Sequence, residues 1–245
     1  KFYSGPNFST YRGIWSDDRC PFVIKRLNKQ FPSIDQIARL KHEYRLLNSL
    51  NEQHVVKAYD LIDSESGLAM ILEDIEGSSV ASYFLENQLS LVDKIIIAIR
   101  MVDAISQVHS CNIIHKDVNP RNFVIYSKED KVKIIDFGIA SELPREITSV
   151  KNPNVLEGTL AYISPEQTGR MNRAVDYRTD FYSFGVSLYW MLTGKLPFSS
   201  DELLEIVHCH IAVKPVSPRS VDETIPEPLS DIVMKLMNKL DLKRR

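Results

Sequence analysis

The stretch that decides the fold is His115-Lys-Asp-Val-Asn-Pro-Arg-Asn122, which runs into Phe123-Val-Ile-Tyr126, Lys131-Val-Lys-Ile-Ile135 and Asp136-Phe-Gly138. The two β-rich runs are separated by Ser127-Lys-Glu-Asp130, which predicts a hairpin with a four-residue loop. Counting outward from Tyr126 opposite Lys131 sets Asn122 opposite Ile135, with Asp136 one step diagonal. Cross-strand neighbours lie roughly 4.5–8 Å apart, so an amide oxygen and a carboxylate emerge together at the open end of the hairpin. These are hard oxygen ligands of the kind Mg²⁺ takes, with its remaining positions left to water and phosphate. Asp117, five residues before Asn122, brings a third oxygen ligand or a base to the same place.

Upstream of this stretch, Phe22-Val-Ile-Lys-Arg-Leu27 and Leu68-Ala-Met-Ile-Leu-Glu-Asp74 read as strands, and one helix interrupts them. Ser33-x-x-Gln36 is a capping box, and Ile37, Leu40, Tyr44, Leu47 and Leu50 then recur at helical spacing. Glu43 falls on that inward face, where a carboxylate is costly without a partner. From about Ser78 the pattern turns helical. Ser90-x-x-Asp93 caps a run in which Ile95, Ala98, Ile99, Val102, Ile105 and Val108 make the chain apolar on several sides, which predicts a buried helix. Further helices are expected from Thr179 to Leu192 and from about Leu229 to Leu240. Pro215, Pro218, Pro226 and Pro228 mark an irregular connection before the last one.

Composition narrows the class. With 245 residues, 44% hydrophobic and 25% charged, the chain is of ordinary globular make-up, and a net charge of −2 gives no argument for nucleic acid or an anionic membrane. The three cysteines, Cys20, Cys111 and Cys209, form no CxxC pair and no disulfide framework, which fits a reducing cytoplasm. No apolar run approaches the roughly 20 residues of a membrane span. The chain opens without methionine or a signal-peptide core and stops after a helix-like run, so it is expected to be a domain cut from a longer protein.

Taken together these residues resemble a eukaryotic-type serine/threonine protein kinase domain over essentially the whole chain. The resemblance implies an α+β, bilobal protein-kinase-like fold, with an antiparallel β-sheet N-lobe carrying one helix (1–75) and a mainly helical C-lobe (76–245). It implies ATP and Mg²⁺ as cofactors and a protein Ser/Thr hydroxyl as substrate. Lys25 then takes the place of the phosphate-binding lysine, Glu43 that of its helix partner, Asp117 that of the catalytic base, and Asn122 and Asp136 those of the metal ligands. Gly158-Thr-Leu-Ala-Tyr-Ile-Ser-Pro-Glu166 is similar to the corresponding Ser/Thr-kinase segment, in which the threonine, here Thr159, reaches the catalytic aspartate. The segment from Asp136 to Glu166 spans 31 residues, a plausible activation-segment length. By the same register Leu72 stands behind the adenine, and the backbones of Glu73 and Ile75 face the base. Gly5 is the middle glycine of the phosphate loop and Thr10 covers the adenine. Glu166 is expected to pair with Arg245, and Asp180 to anchor the catalytic loop.

Three departures stand out. Phe8 occupies the position of the last loop glycine, which limits backbone approach to phosphates. Asn119 replaces the lysine that touches the γ-phosphate, and Lys116 replaces an arginine, losing its bidentate fork. The phrases His115–Asn122 and Pro153–Asp180 also resemble the N-terminal kinase-like domain of large multi-sensor hybrid histidine kinases of bacteria and fungi, which implies other domains of the same polypeptide as partners. Two readings remain open: an active Ser/Thr kinase, and a pseudokinase acting as a nucleotide-binding or interaction module. A small-molecule phosphotransferase is disfavoured, because that class lacks the Ser164-Pro-Glu166 segment and the Asp180 helix motif.

Overall fold

The computed structural model describes the chain apart from residues 1, 2, 5, 6, 18, 29–31, 51, 52, 65, 66, 127–130, 144–157, 172, 241, 242 and 245. Gly5, Arg245, the hairpin loop and much of the activation segment therefore lie outside the described residues.

Five antiparallel strands come first: β1 (Tyr3–Ser4), β2 (Phe8–Ile14), β3 (Pro21–Leu27), β4 (Ala58–Ser64) and β5 (Gly67–Glu73), ordered β1-β2-β3-β5-β4. Helix α1 (Ile34–Ser49) sits between β3 and β4 in sequence. Its capping box forms as expected, with the Gln36 N–H donating to Ser33 Oγ and the Ser33 N–H to Gln36 Oε1. Leu40, Leu46 and Leu47 are buried on its inner face, each worth about 1.5–3 kcal/mol in removed apolar surface. Glu43 is buried on that same face.

After β6 (Ser78–Ser79) the chain becomes helical, with α2 (Val80–Glu86) and α3 (Leu91–Ser110), then β7 (Ile113–Ile114), β8 (Phe123–Tyr126), β9 (Lys131–Ile134) and β10 (Ser141–Glu142). The helices α4 (Arg178–Thr193), α5 (Leu203–Ala212), α6 (Pro218–Val221) and α7 (Glu227–Leu236) complete it. This is the α+β protein-kinase-like architecture, a sheet lobe and a helical lobe. The link between α1 and β4 docks on the helical lobe: Val56 N–H donates to the Ile134 carbonyl and Ile134 N–H to that of His54. The sheet lobe is thereby tied to the hairpin that carries the site.

The β8–β9 hairpin pairs Tyr126 with Lys131 and Phe123 with Ile134, and Ile135 N–H donates to the Asn122 carbonyl, so the register counted from the sequence holds. Helix α3 departs from expectation. It buries Ile97, Ala98, Met101, Ala104, Ile105 and Val108 along one stripe, while Ile99 and Val102 are 55% and 43% exposed. Apolar residues on several sides concealed which stripe faces the core. Helix α4 is buried on most of its faces, and there Gly185 is demanded by packing: a Cβ would come within 2.7 Å of Leu236 Cβ on α7. The proline-rich connection is less irregular than expected. Pro218 opens α6 behind the Ser217 cap, and Pro228 lies in the first turn of α7, where a missing N–H leaves no bond unmade. That last helix consequently starts at Glu227 and ends at Leu236.

Candidate active site

The inward Glu43 has the partner its burial requires. Lys25, directly opposite Met70 and Thr10 in the sheet, donates from Nζ to both carboxylate oxygens of Glu43 at 2.8 Å and to Asp136 Oδ1 at 2.9 Å. Burial disfavours the charge on Lys25, but the carboxylates of Asp136 and Glu43 outweigh it and push the lysine pKa above its ordinary value. Burial likewise opposes ionisation of Asp136, and Lys25 overcomes it, holding that carboxyl below its usual range. Three elements distant in sequence are thus joined by one buried cation. A fourth closes over it: the Phe8 ring centroid lies 4.4 Å from Lys25 Nζ. Next to Phe8, Asn7 Oδ1 accepts from Gln36 Nε2 and ties the β2 entry to the start of α1.

The catalytic-loop candidates are held by α4. Asp180 Oδ2 accepts from His115 N–H (2.9 Å) and from the His109 ring (2.8 Å), and its Oδ1 accepts from Lys116 N–H (2.7 Å). Lys116 has φ +67°, an uncommon left-handed conformation for a side-chain-bearing residue, and the buried Asp180 carboxylate is what holds it there. Asp136 also has positive φ, +65°. Its predecessor is fixed by His115, whose Nε2 lies 3.1 Å from the Ile135 carbonyl and whose ring packs edge-on to Phe137.

Asp117 stands at the centre of this loop. Its Oδ1 accepts from Thr159 N–H at 2.9 Å and its Oδ2 from Asn122 Nδ2 at 3.0 Å. Thr159 reaches the aspartate as expected, but through its backbone; its hydroxyl lies 3.3 Å from Asn119 Nδ2. Asn119 is 1% exposed, and it also donates to Asp117 Oδ1 (3.1 Å) and accepts from Arg121 N–H (3.0 Å). At the position where a lysine was missed, a neutral amide thus welds the loop to the Thr159 wall. Gly158 has φ +96°, and a Cβ there would lie 3.3 Å from the Lys116 carbonyl, so glycine is required where this wall meets the loop.

These groups line one cavity of about 440 Å³, bounded by Phe8, Lys25, Glu43, Asp117, Asp136 and Thr159, a size that suits a small-molecule site. Thr10, Leu72, Glu73, Ile75 and Asn122 are not among the residues that line it. Glu73 makes an ion pair with Lys133, and its N–H donates to the Lys57 carbonyl. Among the described residues no group of three or more His, Cys, Asp or Glu is placed to hold a metal ion. The donor set nevertheless fits Mg²⁺, which usually takes only one or two protein carboxylates. Asn122 spends Nδ2 on Asp117, leaving Oδ1 as an acceptor, and Asp136 is 33% exposed at its side chain beside Lys25. Thr10, opposite Lys25 in the sheet, has its Oγ1 buried without a hydrogen-bond partner.

Glu166 has a partner one residue from the expected one. Arg244, not Arg245, forms the bidentate pair, Nη1 to Oε1 at 2.5 Å and Nη2 to Oε2 at 3.0 Å, and Thr179 Oγ1 donates to the same Oε1. The sequence offered two adjacent arginines and no periodic signal to choose between them.

The family described as Protein kinase domain matches residues 4–245. The chain belongs to the protein kinase family. It is 32% identical over 224 residues to a probable serine/threonine-protein kinase, CPE1738, of Clostridium perfringens, covering 91% of this chain and 32% of that one. It is 32% identical over 225 residues to a probable serine/threonine-protein kinase PknB of Lactococcus lactis (91% and 35%). With the serine/threonine-protein kinase PrkC of Bacillus subtilis it shares 28% over 204 residues (83% and 31%). The chain thus spans about a third of the length of these curated relatives. Among the described residues, no helix is long and apolar enough to cross a membrane.

Proposed function

We propose that the chain is a Ser/Thr protein kinase domain that transfers the γ-phosphate of ATP to protein hydroxyls in the cytoplasm. The observation that carries this reading is the placement of Asp117, hydrogen-bonded through Oδ1 and Oδ2 to Thr159 and Asn122, in one cavity with the Lys25–Glu43–Asp136 cluster. Asp117 would accept the substrate hydroxyl proton, and its two hydrogen bonds hold the carboxylate in one orientation, so most of the rate gain comes from positioning. Lys25, held by Glu43, would bind the α- and β-phosphates. Gly5, Thr10, Leu72, Glu73 and Ile75 would surround the rest of the nucleotide. Asn122 and Asp136 would hold Mg²⁺, which when bound neutralises phosphate charge as a Lewis acid. Thr159 and Asn119 keep Asp117 and the substrate wall together. The resemblance of residues 153–180 to multi-sensor hybrid histidine kinases supports a two-component signalling protein in which 1–245 is one domain and the others are its partners.

A second reading, a catalytically weak nucleotide-binding module, is favoured by Phe8 lying over Lys25 and by the neutral Asn119. Phosphate transfer from radiolabelled ATP to casein and to a panel of Ser/Thr peptides separates the two. For a kinase, Asp117→Asn lowers transfer by about 10²–10⁴-fold with ATP affinity within twofold. Equal background labelling by wild type and variant sinks the catalytic reading in favour of the second.

A further inference from the structure

A polar chain lies buried beneath the wall that faces Asp117, and no step above uses it. Tyr182 on α4 and His210 on α5 are fully buried, with Tyr182 Oη 3.0 Å from His210 Nδ1. Lys239, just beyond α7, donates from Nζ to Tyr182 Oη at 3.2 Å and to the Cys209 carbonyl at 3.0 Å, with Nζ 4.6 Å from the Phe198 ring centroid. The direction of this chain follows from donor inventory. An ammonium only donates, so Tyr182 Oη accepts from Lys239 and turns its own hydrogen to His210 Nδ1. Burial first, and then the Lys239 charge, push the His210 pKa down to about 3, so the ring is neutral and carries its hydrogen on Nε2.

That Nε2 is buried and makes no hydrogen bond of good geometry, but it faces the Leu160 and Ala161 backbone, which acts on the ring as a weak hydrogen-bond acceptor. The backbone groups acting on the ring are those of Leu160 and Ala161, in the 3-10 turn Leu160–Tyr162 that packs on both α4 and α5. A buried donor bears its desolvation in full unless an acceptor offsets it, and the carbonyls of this turn are the acceptors within its reach. The turn begins immediately after Thr159, whose N–H holds Asp117.

Resting on the kinase reading, we infer that His210 is a positioning residue for the protein substrate: its Nε2–H anchors the Leu160–Ala161 backbone and so holds in place the wall along which a peptide would lie. It touches neither nucleotide nor reacting atoms.

The substitutions that test this are His210→Asn, which keeps an amide near Nδ1 only, and His210→Gln, whose Nε2 reaches the place of the ring Nε2. His210→Asn is expected to raise KM for casein about tenfold, with kcat and ATP affinity within twofold, and to speed hydrogen exchange of amides 159–163. His210→Gln is expected to restore both. Unchanged KM and exchange in His210→Asn, or loss of ATP affinity equal to the loss in KM, overturns the inference. If wild type transfers no phosphate, the kinase reading fails by itself, and slowed or unchanged exchange in His210→Asn still overturns the anchor. If His210→Asn does not fold, the wild-type ring tautomer, read from two-bond ¹H–¹⁵N couplings, decides: Nε2–H is expected, and Nδ1–H overturns the inference.

Discussion

The ring of Phe8 covers the ammonium of Lys25 at 4.4 Å, on the side of the cavity where phosphates would approach. A cation–π contact of this kind contributes about 0.5–2 kcal/mol, and on the proposed function a nucleotide would displace it. Phe8→Gly removes the contact and lets loop N–H groups come closer. Affinity for Mg²⁺-ATP, measured by titration calorimetry, is expected to rise about tenfold. A weaker affinity would show that the ring supports nucleotide rather than competing with it.

Lys25 is also a structural cation, because Glu43 and Asp136 both depend on it. Lys25→Met leaves the buried Glu43 and the partly exposed Asp136 without a counter-charge, and loss of one partner of a buried pair costs about 3–5 kcal/mol. The folded pKa of Asp136 lies below its unfolded value, so its stabilisation is present above about pH 4 and is lost as pH falls through the folded pKa. Urea unfolding of Lys25→Met should therefore show a large deficit at pH 7 that narrows as acid protonates Glu43, whose carboxyl burial pushes up, and Asp136. A deficit independent of pH would mean the loss comes from packing.

The Glu166–Arg244 pair is buried and bidentate and joins the Pro165–Thr168 turn to the segment after α7. Arg244→Ala is expected to lower unfolding free energy by about 3–5 kcal/mol. Glu166→Gln combined with it should cost less than the sum of the two, as a double-mutant cycle in denaturant would reveal.

Burial pushes the Lys239 pKa down to about 8. In the unfolded chain a lysine titrates near 10.4, so between about pH 8 and 10 the unfolded state binds more protons and stability gains with rising pH from this group. Lys239→Met should remove that gain, seen as a flatter dependence of the thermal midpoint on pH over that window. An unaltered slope would assign the alkaline behaviour to other groups.

Much of the site is legible because it is local. The four-residue hairpin loop sets Asn122 against Ile135, and the Ser33–Gln36 capping box starts α1 so that Glu43 must turn inward. The expected aspartate–threonine contact holds as well, although the backbone of Thr159 makes it. Aliphatic side chains on several faces of α3 predict a buried helix, whereas the neighbouring elements bury only one stripe of it.

By itself the sequence determined the hairpin register, the caps and the need of Glu43 for a cation, since each depends on neighbours a few residues away or directly across a strand. The tertiary structure alone decided that Phe8 rests on Lys25, that Arg244 takes Glu166, and that Tyr182, His210 and Lys239 line up behind Leu160. Those contacts join residues far apart in the chain, where no spacing rule operates; packing of whole elements sets the distances, and the desolvation of each buried polar group then selects its partner.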